Sequence, residues 1–315
     1  MRLVFMGTPD FAVGTLKEII NAGHEVLCVV TQEDKPKGRG KQMQITPVKE
    51  VALEHNLPIL QPQKIRAAEH VDYLKSLEPD VIVVVAFGQI IPQEILDIPK
   101  YGCLNVHASI LPDYRGAAPI QWAVLDGVKE SGVTIMKMDA GLDTGDMISI
   151  EKLLLDEEET SGSLFGKLSA LGAKALVRTL EDLEKGVATF TKQPKESPTP
   201  YAKMIDKSMG EIDWTWSALK IERWVRGMNP WPSAFTHIDG KTLKIWQAKA
   251  GEEKKDSQGL MAGEIVDANK KEILVKTGEG LLAIQSLQLE GKKRMEVSAF
   301  LNGFTLKRGQ KLGQK

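Results

Sequence analysis

Along the first half of the chain, short β-branched runs alternate with stretches of helical pattern. That rhythm predicts a parallel sheet covered by helices on both faces. Strands are predicted at residues 3–6, 25–31, 80–86, 103–107 and 132–138. The run Val81-Ile82-Val83-Val84-Val85 has no polar alternation, as a central strand buried on both faces requires. Between the strands, Thr46-Pro47 sets a capping hydroxyl before a proline at the first helical position and starts a helix toward His55. A second helix is predicted from Ser161 to Lys185, stopped at Gly186.

Residues 190–201, Phe-Thr-Lys-Gln-Pro-Lys-Glu-Ser-Pro-Thr-Pro-Tyr, are dense in proline and polar side chains and have the composition of a linker. Beyond them the pattern changes to a short helix at 217–228 and brief strands at 242–248, 262–267, 272–277 and 281–287, separated by Gly-rich turns. Short strands at close spacing predict a small barrel of the kind that often binds oligonucleotides. A length of 315 residues suits two domains, each able to bury a core. The expected organisation is a doubly wound, mostly parallel α/β domain over 1–189, a linker over 190–208, and an OB-like β-barrel domain over 209–315.

Composition narrows the function class. With 42% hydrophobic and 26% charged residues the chain is an ordinary folded one. Its formal net charge of -1 means that a polyanionic partner must be met by a local basic patch. Cys28 and Cys103 each sit in an apolar run, which excludes a disulfide framework as the main staple. The apolar stretch near Met1 is too short for a signal peptide, and the run 81–87 is far too short to span a bilayer. A cytoplasmic protein with no membrane partner is expected.

The stretch from Leu104 to Gly116 lies where a strand ends, and ligands of open parallel sheets bind outside the carboxyl ends of strands. Strand alternation puts Asn105 and His107 on one side. An amide donor beside an ionisable imidazole suits a developing oxyanion while a proton moves, although a turn cap and a carbonyl-bound histidine would look the same. After the next strand comes Asp139-Ala140-Gly141-Leu142-Asp143-Thr144-Gly145-Asp146, a tight loop whose carboxylates could partner an imidazole or form an acidic turn and nothing more. The calcium-hand pattern and zinc-ligand spacing are both missing, so no metal is expected.

Two further features concern phosphate. Gly7-Thr8-Pro9-Asp10-Phe11 lacks the glycine fingerprint of a dinucleotide loop, so no nucleotide cofactor is expected and a dinucleotide-dependent oxidoreductase is disfavoured. The long connection carrying Lys35, Lys37, Arg39 and Lys41 is either a solvated flap or a finger that touches phosphates through its Gly-Arg-Gly tip. After position 290, Lys292, Lys293, Arg294, Lys307, Arg308, Lys311 and Lys315 face the lone Glu296. Together with the loop they suggest a bound polyanion. The tryptophans at 214, 216, 224, 231 and 246 crowd the second domain and are assigned mostly to packing.

Read together, Gly7-Thr8-Pro9-Asp10-Phe11, the Arg39 loop, Asn105-Val106-His107 with Ser109-Ile110-Leu111-Pro112, Arg115-Gly116-Ala117-Ala118-Pro119 and Gly141-Leu142-Asp143-Thr144-Gly145-Asp146 resemble the folate-dependent formyltransferase group. Ile212-Asp213-Trp214 and Asn229-Pro230-Trp231-Pro232 extend the resemblance into the second domain, toward the branch that acts on methionyl-tRNA. The resemblance implies 10-formyltetrahydrofolate as donor, initiator methionyl-tRNA as acceptor, and Asn105, His107 and Asp143 as the catalytic trio. By position, Ser109, Ile110, Leu111 and Pro112 would line the folate site with Phe87, Gly88 and Ile90 nearby, and Lys35, Lys37, Arg39 and Lys41 would grip the tRNA. Ile110 stands where leucine is commoner, a change that conserves volume. A monomer is expected. The alternatives are a formyltransferase for a small amine, such as a purine precursor or an amino sugar nucleotide, and a non-catalytic RNA-binding module.

Overall fold

A computed structural model describes residues 1–37 and 42–313. The chain divides into two units, Met1–Pro119 with Glu130–Leu154 and Phe165–Ala202, and Ile120–Lys129 with Leu155–Leu164 and Lys203–Lys315. Among the described residues no helix is long and apolar enough to cross a membrane.

The first unit alternates strands and helices in chain order: β1 (Arg2–Gly7), α1 (Asp10–Asn21), β2 (Glu25–Val30), β3 (Lys35–Lys37), β4 (Gln42–Gln44), α2 (Pro47–Glu54), β5 (Ile59–Leu60), α3 (Ala68–Ser76), β6 (Val81–Val85), α4 (Gln93–Leu96) and β7 (Cys103–His107). After α5 (Pro119–Asp126), which from Ile120 on belongs to the second unit, come β8 (Glu130–Lys137), β9 (Met147–Leu154) and α6 (Ser161–Lys185), whose first residues up to Leu164 also belong to the second unit. Seven strands form one sheet in the order β5-β2-β1-β6-β7-β8-β9. The pairs from β5 to β7 are parallel, and β8 and β9 add antiparallel at one edge. The chain builds outward from β1 in one direction and then from β6 in the other, so the strand order reverses between β1 and β6, next to β7.

Local rules account for these elements. All five side chains of β6 are buried, so water would be excluded from both faces of that strand. Thr46 caps α2 by accepting from Lys49 N at 3.1 Å, and its hydroxyl also meets Thr31 Oγ1 at 2.8 Å. Helix α6 spans the residues expected of it. Strands β9 and β5 and the hairpin β3-β4 were not predicted. In β9 the residues Met-Ile-Ser-Ile-Glu-Lys-Leu-Leu are only half-buried in alternation with exposed ones, the pattern of an edge strand without a continuous apolar run.

The second unit holds α7 (Ala218–Gly227), β10 (Ala234–Ile238), β11 (Lys241–Gly251), β12 (Ile265–Ala268), β13 (Ile273–Lys276), β14 (Leu281–Leu289), β15 (Met295–Glu296) and α8 (Val297–Leu301). Its antiparallel sheet runs β10-β11-β14-β13-β12, with β15 on β14. Register shifts near Gln247 in β11 and between Ile265 and Asp267 in β12 bend these strands, as an OB-like barrel demands. The end strands β10 and β12 do not pair with each other among the described residues, so the barrel is open. Trp214 belongs to the core and donates to Thr236 Oγ1 at 3.0 Å, whereas Trp231 is 56% exposed.

Candidate active site

Strand β7 carries Asn105 and His107 to the carboxyl edge of the sheet. Asn105 pairs with Val84 on β6 and Met136 on β8, and His107 pairs with Thr134. Among the described residues the Asn105 carboxamide has no hydrogen-bond partner, and the residue is half-buried. It is therefore a donor left over for a ligand. Thr134, fully buried in β8, fixes the turn after β7: it donates to Ser109 O at 2.8 Å and accepts from Leu111 N at 3.0 Å.

His107 is buried, and its Nε2 donates to the Tyr114 carbonyl oxygen at 3.0 Å. A carbonyl can only accept, so that nitrogen carries the hydrogen and the other ring nitrogen is the one open to chemistry. That nitrogen, Nδ1, lies 3.7 Å from Asp143 Oδ1. The second carboxylate oxygen, Oδ2, accepts from Gly116 N at 2.9 Å. The imidazole is thus oriented by a backbone carbonyl on one side and faces the Asp143 carboxylate on the other.

Of the three carboxylates in the loop, Asp143 is the one that reaches the histidine. Asp139 folds the turn, accepting from Gly141 N at 3.0 Å and Thr144 Oγ1 at 2.7 Å. Glycine is required at 145, where a Cβ would come 1.8 Å from Lys137 O. Among the described residues no cluster of His, Cys, Asp and Glu could hold a metal ion.

The residues expected to line the folate site follow β6 and β7, which are neighbours in the sheet. They differ in what they offer. Ile90 is 82% exposed and Gly88 is exposed at φ +81, while Ile110 and Pro112 are half-buried. Phe87 and Leu111 are 2% exposed, and the Phe87 ring belongs to the apolar core, so neither presents a side chain to a ligand. The Ser109 hydroxyl is committed to Asp113 O at 2.6 Å.

The basic connection begins as a hairpin, with Lys35 paired to Gln44 and Lys37 to Gln42. Lys35 Nζ donates to Gln32 Oε1 at 2.9 Å, and Arg39 and Lys41 lie outside the described residues. The base of the hairpin is anchored by Lys49 Nζ, which binds Asp34 Oδ2 at 2.6 Å and Gln61 Oε1 at 2.7 Å. Lys49 first and the Gln61 amide second hold the Asp34 carboxyl below the usual carboxylate range. Lys292, Lys293, Arg308 and Lys311 are exposed in the second unit, and the exposed Arg294 guanidinium lies 5.4 Å from the Trp246 ring centroid.

The use of the stretch 190–202 was not legible in its composition. It packs within the first unit as a strap. Thr191 exchanges backbone hydrogen bonds of 2.8 Å with Met147 at the start of β9. Ser197 Oγ donates to Pro112 O at 2.8 Å, Thr199 Oγ1 accepts from Tyr114 N at 2.6 Å, and Ala202 N donates to Arg115 O at 2.8 Å. The strap therefore holds the loop that supplies both Tyr114 O and Gly116 N to the site.

The profile of the family described as formyl transferase matches residues 1–180, and that of the formyl transferase C-terminal domain matches residues 204–305. The chain is 55% identical over 309 residues to a protein of Agathobacter rectalis named methionyl-tRNA formyltransferase, covering 98% of each. It is 54% identical to the protein of that name from Lachnospira eligens, covering 100% of both. Its fold is also that of an N-formyltransferase from Helicobacter canadensis solved with folinic acid and dTDP-3-aminofucose, at a TM-score of 0.67 and 17% identity, covering 93% of this chain and 99% of that one.

Proposed function

The chain belongs to the methionyl-tRNA formyltransferase family, and from that premise we propose that Asn105, His107 and Asp143 carry its chemistry. The enzyme transfers the formyl group of 10-formyltetrahydrofolate to the amino group of methionyl-tRNA. The observation that supports the site is His107 bracketed between Tyr114 O and Asp143 at the carboxyl edge of the sheet.

In this reading the neutral amine of the methionyl ester attacks the formyl carbon and turns its oxygen into an oxyanion. The unpartnered Asn105 amide donates to that oxygen. His107 Nδ1 takes the proton released by the amine, since Nε2 already donates to Tyr114 O. Asp143 supports the imidazolium so formed, which then gives its proton to the departing folate nitrogen. Ile90, Gly88, Ile110 and Pro112 supply the accessible surface for the folate, with Ser109, Leu111 and Phe87 shaping it from behind.

For the acceptor, Lys35, Lys37, Arg39 and Lys41 grip the end of initiator methionyl-tRNA, and the exposed basic residues of the second unit meet its phosphates. Such a substrate belongs to translation, and the enzyme acts in the cytoplasm as a monomer. The domain roles follow: catalysis over 1–189 and tRNA binding over 209–315. A small amine as acceptor finds support only in relatives under 25% identical, which share the fold alone.

The test is to mix the protein with 10-formyltetrahydrofolate and methionylated initiator tRNA and to measure formylmethionine after ester hydrolysis, with elongator methionyl-tRNA as control. Formylation of the initiator is expected, and His107→Ala lowers its rate by about a hundredfold or more. An unimpaired variant would refute the site. Arg39→Ala is expected to weaken use of charged tRNA with little change in folate binding.

A further inference from the structure

The strap carries one side chain that touches both loops of the catalytic site. Gln193 Oε1 accepts from Arg115 Nε at 3.0 Å and from Arg115 Nη2 at 2.9 Å, while Gln193 Nε2 donates to Asp143 O at 2.9 Å and to Gly145 O at 2.8 Å. Arg115 is only 8% exposed, and two more of its N–H groups reach Pro194 O at 2.8 Å and Lys195 O at 3.2 Å. No carboxylate appears among these partners. The guanidinium is spent on neutral oxygens of the strap, an arrangement whose product is rigid geometry.

That geometry bears on one strained residue. Asp143 has φ +56, a conformation that side chains with a Cβ rarely adopt. Such a backbone persists where its surroundings over-determine it. Here the carboxylate is held by Gly116 N and the carbonyl by Gln193, so the residue is gripped at both ends. Arg115 links the two grips, because its own backbone precedes Gly116 and its side chain seats Gln193.

We propose that Gln193, seated by Arg115, is a positioning residue that sets the distance of the Asp143 carboxylate from His107, so that a segment with the composition of a linker tunes the transfer step. The inference rests on the assignment of Asp143 to the reaction. Gln193 touches neither substrate in this scheme and acts through Asp143 alone.

A double-mutant cycle tests it. Gln193→Glu keeps the length and the acceptor toward Arg115 but removes both N–H donors and sets a carboxylate oxygen against the two carbonyls. The expected result is a fall in kcat of about tenfold or more, with KM for 10-formyltetrahydrofolate and for methionyl-tRNA within about twofold. In an Asp143→Asn background the same change costs nothing further in kcat. Arg115→Lys, which keeps the charge without the planar fork, reproduces the pattern of Gln193→Glu. A wild-type kcat for Gln193→Glu, or an equal loss in the Asp143→Asn background, overturns the clamp. If Asp143→Asn alone keeps the parent rate, the role of Asp143 falls, and the clamp falls with it.

Discussion

Asn105→Ala isolates the oxyanion donor with little disturbance of the fold. The carboxamide has no protein partner among the described residues, so deleting it breaks no hydrogen bond and leaves no buried group orphaned. The backbone of 105 keeps its place between β6 and β8. Stability is expected to change by no more than about 1 kcal/mol, the span of strand propensities. The transition state loses one donor, which typically costs about 3 kcal/mol. At about 1.4 kcal/mol per decade, kcat falls on the order of a hundredfold. The assay is single-turnover formyl transfer with both substrates saturating, beside equilibrium folate binding, which stays at its parent value. Asn105→Asp, which aims a carboxylate at the developing charge, falls further. A kcat for Asn105→Ala within about threefold of the parent would show that the amide does not hold the oxyanion.

Other consequences are independent of catalysis. Thr46→Ala removes the cap of α2 and strands the buried Thr31 hydroxyl; a loss of about 2 kcal/mol is expected as a lower denaturant midpoint at unchanged slope. Asp34 has its folded pKa depressed, chiefly by Lys49, so its contribution is present above the ordinary carboxylate pKa and is lost as pH falls through the folded value. Asp34→Asn is accordingly less stable than the parent at neutral pH, and the gap closes in acid below the usual carboxylate range; a gap that is the same at both pH values would refute the linkage. Burial pushes the Cys28 thiol up to about 11 and the Cys103 thiol up to about 12. Neither is expected to react with a thiol reagent at pH 8 until the chain is unfolded, as timed labelling with and without denaturant would reveal.

The parts of the molecule legible in the sequence are those whose cause is local. Strand β6 announced itself by an unbroken apolar run and α2 by Thr46-Pro47. Edge strand β9 escaped because a strand half in water needs only weak alternation, and Glu151 and Lys152 interrupt it. Candidate site residues were legible as chemistry but not as geometry. By residue type alone the three aspartates of one loop were equal; the family resemblance singled out Asp143, and the turn built by Asp139 and Gly145 is what sets it facing His107.

The strap shows a limit of another kind. Proline-rich polar composition argues for a linker because such residues bury little apolar surface and support neither helix nor ladder. Yet hydrogen bonds from Gln193, Ser197 and Thr199 do not require apolar burial, only acceptors and donors left unused elsewhere. The loops at 109–118 and 139–146 are rich in such leftovers, since neither is in regular structure. A polar segment can therefore be as closely specified as a core strand when it satisfies the backbone of a catalytic loop. Its proline residues assist, by keeping it extended and removing donors that would compete. A variant that replaced 194–198 with glycine and serine, while keeping Gln193, would separate the two contributions: a lower kcat with intact folding would assign the precision of the site to the stiffness of the strap, and an unchanged kcat would assign it to Gln193 alone.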